Sequence, residues 1–259
     1  MNGLQHFGRA LSAEQLKIKH SWAWRLVFLA PLFACGMYFC IFYFKGEHLI
    51  GESPAWNSYF FQSTDTVYLV LLPLFIILLN ILVHQLDHNA DSRKILYTLP
   101  TPKWIQVSAQ WLNVVKLFTI SMLIYLMVML ISGKLLEWLR PELGFDQASL
   151  DQKYYLAYFK GYLASFGILA FQFIFTYFLK NMVLPMGIGM AAYVSTLVLL
   201  RWKYIPFHPF AYGNLAFRDY FKTAELGNQL FTQPVLLSLS LTAFLLILGL
   251  LLVRRLDVK

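Results

Sequence analysis

Residues 158–200 read YFKGYLASFGILAFQFIFTYFLKNMVLPMGIGMAAYVSTLVLL, and this run decides what kind of protein the chain is. As one helix it would be roughly 64 Å long, about twice the ~30 Å hydrocarbon core of a bilayer. The chain must therefore turn back inside the run. Lys180-Asn181 is the polar break where it can do so. Pro185 follows closely, and it suits the first turn of a new helix because its missing N–H needs no partner there. Two spans, the fourth and fifth, are expected to meet at this turn.

Working outward, similar runs recur at about 26–44, 66–84, 111–131 and 235–253, each near the length that crosses a bilayer as a helix. Pro73 is expected to kink the second. Of 259 residues, 59% are hydrophobic and 13% charged, against roughly 25% charged in a soluble domain, so lipid must be the solvent. Backbone N–H and C=O groups inside lipid have to pair within the segment, which leaves helices or closed barrels. The runs lack a period of two, which selects helices. The expected fold class is all-α: a polytopic membrane protein with about six transmembrane helices in a single domain over 1–259, with no room for a separate catalytic domain.

Between the runs lie three other kinds of segment. Residues 4–20 place Leu4, Phe7, Leu11 and Ile18 at helical spacing, with Gln5, Arg9, Glu14, Lys17 and Lys19 on other faces. That pattern describes an amphipathic helix lying on the membrane surface, leading into Trp22 and Trp24, whose indoles suit the headgroup level. Residues 133–153 carry charges and Pro141 and read as an external loop. Residues 201–233, rich in aromatics and proline, read as external interfacial or re-entrant pieces. Leu32-Phe33-Ala34-Cys35 superficially resembles a lipoprotein cleavage site, but a polar stretch precedes it and the apolar run continues past Cys40, so an uncleaved first span is expected. Cys35 and Cys40 point apart on one helix, and no disulfide joins them.

Basic residues set the expected orientation. With both termini inside, the cytoplasmic side holds twelve Lys/Arg and four Asp/Glu, and the outer side nine of each sign. All the excess positive charge then lies inside, as the positive-inside rule requires. The +8 net charge needs no nucleic acid to explain it. A multi-pass location in the cell (inner, cytoplasmic) membrane is expected.

Motifs for chemistry are sparse. There is no Gly-x-Ser-x-Gly, no His-Glu-x-x-His and no phosphate-binding Gly-x-x-x-x-Gly-Lys-[Ser/Thr]; Gly133-Lys134 lacks both the upstream glycine and the hydroxyl residue. The chain is therefore not an ATPase by that route, and its spans are poor in the acidic relays of ion-coupled carriers. His84 and His88, with Asp87 between them, could in principle form a two-His, one-carboxylate metal site; polar residues ending a helix at the headgroups are the plainer reading. Asp65 is placed at a membrane boundary, and Lys116, near a cytoplasmic end, can snorkel. Small residues recur at every fourth position: Ala157, Gly161 and Ser165 in span four, Gly187, Ala191 and Ser195 in span five. They let helix backbones approach closely, either span four against span five or across a seam between subunits. Interiors rich in Phe, Leu, Met and Tyr favour a hydrophobic or amphiphilic cargo such as a peptide, lipid or drug over an ion.

The segment 85–104, QLDHNADSRKILYTLPTPKW, puts a turn or two of amphipathic helix between two spans and ends it with prolines. A short helix there is a mechanical handle that tilts both spans when pushed. An acidic residue at the end of span two, a short polar stretch, then Leu96-Tyr97-Thr98-Leu99-Pro100 and a basic residue resembles the intracellular coupling loop of type-2 ABC exporter permeases, nearest to the short ones of the peptide-antibiotic immunity and export type. Glu14-Gln15-Leu16-Lys17-Ile18-Lys19-His20-Ser21 is similar to that family's N-terminal surface helix, written there Glu-x-x-Lys-x-Lys-Arg-Ser. The sequence departs from the pattern in having Asp87 where the family usually has Glu, and Gln110 where a basic residue is common. The resemblance implies a homodimer or a heterodimer of permeases above a separate ABC ATPase, which would hold the ATP and Mg; this chain would hold no cofactor or metal. It also implies docking and coupling through Asp87, Arg93, Leu96, Leu99, Pro100 and Lys103, flanked by Glu14 and Lys17. A membrane scaffold or immunity protein that binds its target without transport, and an intramembrane metalloenzyme built on His84 and His88, stand as alternatives.

Overall fold

In the computed structural model, which describes residues 3–19, 21–51, 53–89, 103–147, 149–179, 181–222 and 229–255, the 158–200 run does break in the middle. Helix α7 (Phe166–Phe178) ends just before the polar pair and α8 (Val183–Val198) begins just after it. The Asn181 carboxamide oxygen accepts the Val183 N–H at 2.9 Å, satisfying one of the orphan donors at the start of α8. Pro185 sits in the first turn of that helix, buried, and its carbonyl accepts from the Gln172 amide at 3.0 Å.

The other helices are α1 (Gly3–Ile18), α2 (Trp22–Leu49), α3 (Ala55–Thr66), α4 (Leu72–Asn89), α5 (Lys103–Leu139), α6 (Gln152–Ala164), α9 (Tyr212–Lys222) and α10 (Gln233–Arg255). No strand occurs among the described residues. Among the described residues five helical runs are long and apolar enough to cross a membrane: Trp22–Leu49, Ala55–Gln85, Lys103–Leu139, Gln152–Phe178 and Gln233–Val253. The sixth apolar helix, α8, has 16 residues and is about 24 Å long. The protein is thus an all-α, polytopic membrane protein.

Two of these helices are longer than the apolar runs suggested. The second begins at Ala55 rather than near Thr66, and α5 continues to Leu139, well into the stretch read as an external loop. Hydropathy marks only the part of a helix that lipid would touch; the polar extensions are held by packing instead. Trp56 of α3 lies where a Cβ on Gly133 of α5 would be, and Phe145, past the end of α5, packs edge-on against Trp56 and Tyr59. Arg140 closes this end by pairing with Glu142 and with Glu47 of α2, and by donating to the Tyr43 carbonyl.

Pro73 acts one turn ahead of itself. It has no N–H to offer the Leu69 carbonyl and its ring crowds that carbonyl. The ladder responds by widening to a π turn at Val67–Leu71, in which the Leu72 N–H reaches back to the Val67 carbonyl. α3 and α4 stay joined as one span across it.

The interior is aromatic, and buried tyrosine hydroxyls find partners in it. Tyr68 and Tyr158 donate to the carbonyls of Tyr158 and Met122, both at 2.6 Å, and Tyr59 meets the Ser132 hydroxyl at 2.7 Å. Tyr125 stacks on Tyr158. Lipid offers no hydrophobic force to hold helices together, so packing and hydrogen bonds of this kind must do it. Cys35 is buried, Cys40 is exposed and both are free.

The span-four stripe serves this packing. A Cβ on Gly161 would lie 2.5 Å from the Tyr68 ring, and one on Gly213 of α9 would lie 2.8 Å from the Ser165 hydroxyl; Ala157 is fully buried. These residues therefore seat Tyr68 and α9. In span five, Gly187 has open space around it, Ala191 is exposed, and Ser195 bonds to His208. The residue of α8 packed closely against α7 is Gly189, where a Cβ would lie 2.5 Å from the Gln172 carboxamide.

Gly161→Ala and Gly133→Ala should each lower the stability of the detergent-purified protein by about 1–3 kcal/mol. Gly36→Ala and Gly187→Ala, where nothing lies within 4 Å, should be neutral or stabilising. Thermal unfolding of the four variants side by side checks the contrast.

Candidate functional site

Two regions carry the polar chemistry. The first lies along α5, which packs against both α1 and α4. α1 lies along α5, with the Asn113 amide donating to the Glu14 backbone carbonyl at 3.3 Å. Glu14 is 6% exposed, so it belongs to the packed face of α1 rather than to the polar face assigned from spacing. Its carboxylate pairs with Lys17 at 2.7 Å. The pair is tied along one helix turn, and Lys17 is the member with solvent-exposed surface.

α4 carries Asp87 near its last turn, and Lys103 opens α5. The 85–104 segment therefore joins the ends of two membrane-length helices. Arg93, Leu96, Leu99 and Pro100 lie outside the described residues, as does the side chain of Asp87.

His84 differs from its expected setting. It is fully buried, not at an open headgroup surface: its Nδ1 lies 2.8 Å from the Asn80 carbonyl and its ring packs edge-on against Phe173 and Tyr177. Burial between two aromatic rings makes it a packing residue of the α4–α7 contact. Among the described residues no three His, Cys, Asp or Glu side chains gather as a metal site would need.

The second region is a charged cluster that α9 carries into the bundle. Asp65 on α3 accepts from the Arg218 guanidinium through both oxygens, at 2.5 and 2.6 Å, and from the Asn214 amide at 2.9 Å. Asn214 and Arg218 are one helical turn apart and so present one face. Next to Arg218, the buried Asp219 is the electrostatic partner of Lys160 on α6, which is fully buried. Phe217 completes the face, lying against Phe61 and Tyr68. The sequence reading set Asp65 at a membrane boundary and passed over Lys160. The signal that could have found the cluster is an ionisable residue inside an apolar run, which needs a named partner.

His208 links the segment before α9 to the end of α8. Its two ring nitrogens lie 3.0 Å from the Ser195 and Thr196 hydroxyls, and the Phe210 N–H donates to Nδ1 at 3.3 Å. Burial pushes its pKa below the ordinary 6.5. The fold therefore favours the neutral ring.

These features define a class: a multi-pass helical membrane protein whose described interior is packed from aromatic and aliphatic side chains. The family model described as ABC-2 family transporter protein matches residues 10–196, and the chain belongs to that family. It is accordingly a membrane permease subunit of an ABC transporter and not itself the ATPase. No curated protein and no solved structure matches the chain.

Two outcomes are expected. In a double-mutant cycle, Asp65→Ala and Arg218→Ala should be non-additive, with a coupling of about 1 kcal/mol for a paired but partly exposed bidentate contact. Secondly, because the folded pKa of His208 is depressed, its contribution is present above pH 6.5 and is lost as pH falls through the lowered value. Melting temperature followed from about pH 7.5 to about pH 5 should drop less in His208→Asn than in the parent protein.

Proposed function

We propose that two copies of this chain form the path of an ATP-driven exporter and that a separate ABC ATPase drives them. The observation that carries the reading is family membership over residues 10–196, joined to the position of the 85–104 segment between two membrane-length helices, α4 and α5. A connection so placed moves both spans when it is pushed. ATP and Mg would be held by the ATPase pair. Closure of that pair around nucleotide displaces the segment and switches the path from inward to outward access.

The docking set is Asp87, Arg93, Leu96, Leu99, Pro100 and Lys103, with Glu14 and Lys17 beside it. Both termini lie in the cytoplasm, on the side that the excess of basic residues selects, and the membrane is the cell membrane. The Leu96-Tyr97-Thr98-Leu99-Pro100 motif favours the peptide-antibiotic immunity and export subgroup. A cargo with apolar surface, such as an amphiphilic peptide, fits an interior of aromatic and aliphatic side chains.

Co-purification tests the docking set. Leu96→Asp and Leu99→Asp each place a charge where an apolar anchor would be desolvated, a change that costs at least about 2 kcal/mol at an interface centre, so ATPase recovery should fall by more than tenfold. Unchanged recovery removes the segment from the docking site.

A further inference from the structure

Beside the α1–α5 contact lies a cleft of about 490 Å³. Ser12 and Gln15 of α1, Lys19 just past it, and Lys116 of α5 give the cleft its polar side; Trp24 of α2 and Leu117 of α5 give it an apolar side. Both lysines are exposed, and neither forms an ion pair among the described residues. Glu14, in α1 before the cleft's Lys19, is buried and paired with Lys17. Two positive charges therefore line one pocket, with no ion-pair partner for either among the described residues.

Lys116 stands within a helix of membrane-crossing length, and its exposed side chain can carry the ammonium to the headgroup level, where an anionic phosphate favours it. The surface next to the cleft is apolar and outward-facing: Leu16 is 71% exposed and Trp22 66% exposed. Trp22 is also covered by the Arg25 guanidinium at 4.5 Å, an amphipathic pairing suited to the headgroup level.

We propose that this cleft binds the phosphate headgroup of an anionic phospholipid. Lys19 and Lys116 hold the phosphate, Ser12 and Gln15 supply hydrogen bonds to its oxygens, and Trp24 and Leu117 flank the glycerol and first methylenes, while the acyl chains run into the surrounding lipid. A free phosphate ion gains nothing from the apolar wall, whereas a lipid uses both sides. Bound there, the lipid bridges α1 to α5 and holds the surface helix against the bundle.

The full-length protein, delipidated in detergent, is titrated with phosphatidylglycerol and with phosphatidylcholine and the bound lipid read by native mass spectrometry. Phosphatidylglycerol should bind at least about tenfold more tightly. The Lys19→Gln/Lys116→Gln variant should lose roughly 30-fold in phosphatidylglycerol affinity, the combined worth of two lysines beside an anionic headgroup, with phosphatidylcholine unaffected. Lys116→Arg should retain binding, and Lys45→Gln/Lys203→Gln, at exposed sites outside the cleft, should change nothing. Equal binding of the two lipids by the parent protein overturns the proposal without reference to any variant. An equal loss in Lys45→Gln/Lys203→Gln overturns the location, and full displacement of phosphatidylglycerol by inorganic phosphate overturns the assignment to lipid.

Discussion

Tyr68 against Gly161 is the contact around which the bundle is arranged. Tyr68 lies in the π turn that Pro73 provokes, and that turn aims its ring across α6. There the ring occupies the space a side chain on Gly161 would fill, its hydroxyl donates to the Tyr158 carbonyl, and its other face meets Phe217 of α9. One side chain thus joins the second span, the fourth and the short helix before the last span. A buried hydroxyl away from water is costly unless it is paired, so the hydrogen bond specifies the register of the contact as well as strengthening it.

The rest of α9 follows from this placement. A short helix with Asn214, Arg218 and Asp219 on it could lie at a membrane surface with its charges in water. Here instead Phe217 draws it against Tyr68, and the polar residues on the same turns find partners, Asp65 for Asn214 and Arg218, Lys160 for Asp219. Lys160 and Asp219 are both buried and each is tolerable there only beside the other, whereas the partly exposed Asp65–Arg218 pair adds modestly to the contact. The π turn, the glycine stripe and the charged cluster form one structural unit between α3, α6 and α9.

At the other end of the molecule the organisation is mechanical. α4 and α5 flank one connection, and α1 is fastened along α5 through Asn113 and the Glu14 backbone. Rigid helices packed through interlocked aromatic rings transmit a displacement along their length instead of absorbing it. The proposed drive by a separate ATPase would use that property, because a push at the connection would reach both spans.

Membrane class, helical fold and most of the spans were legible from residue order, because the bilayer's demand acts locally: a run of about 20 apolar residues satisfies its own backbone whatever surrounds it. The turn after Phe178, the first-turn role of Pro185 and the separation of Cys35 from Cys40 were readable for the same reason. The helix ends at Ala55 and Leu139, the burial of Glu14 and His84, the partners of the small-residue stripe and the Asp65–Arg218 pair were not. Each depends on groups from distant parts of the chain, such as Trp56 with Gly133 or Asp65 with Arg218. Sequence spacing shows that a glycine leaves room or a lysine needs an anion, but only the packed helices decide which ring fills the room and which carboxylate meets the charge.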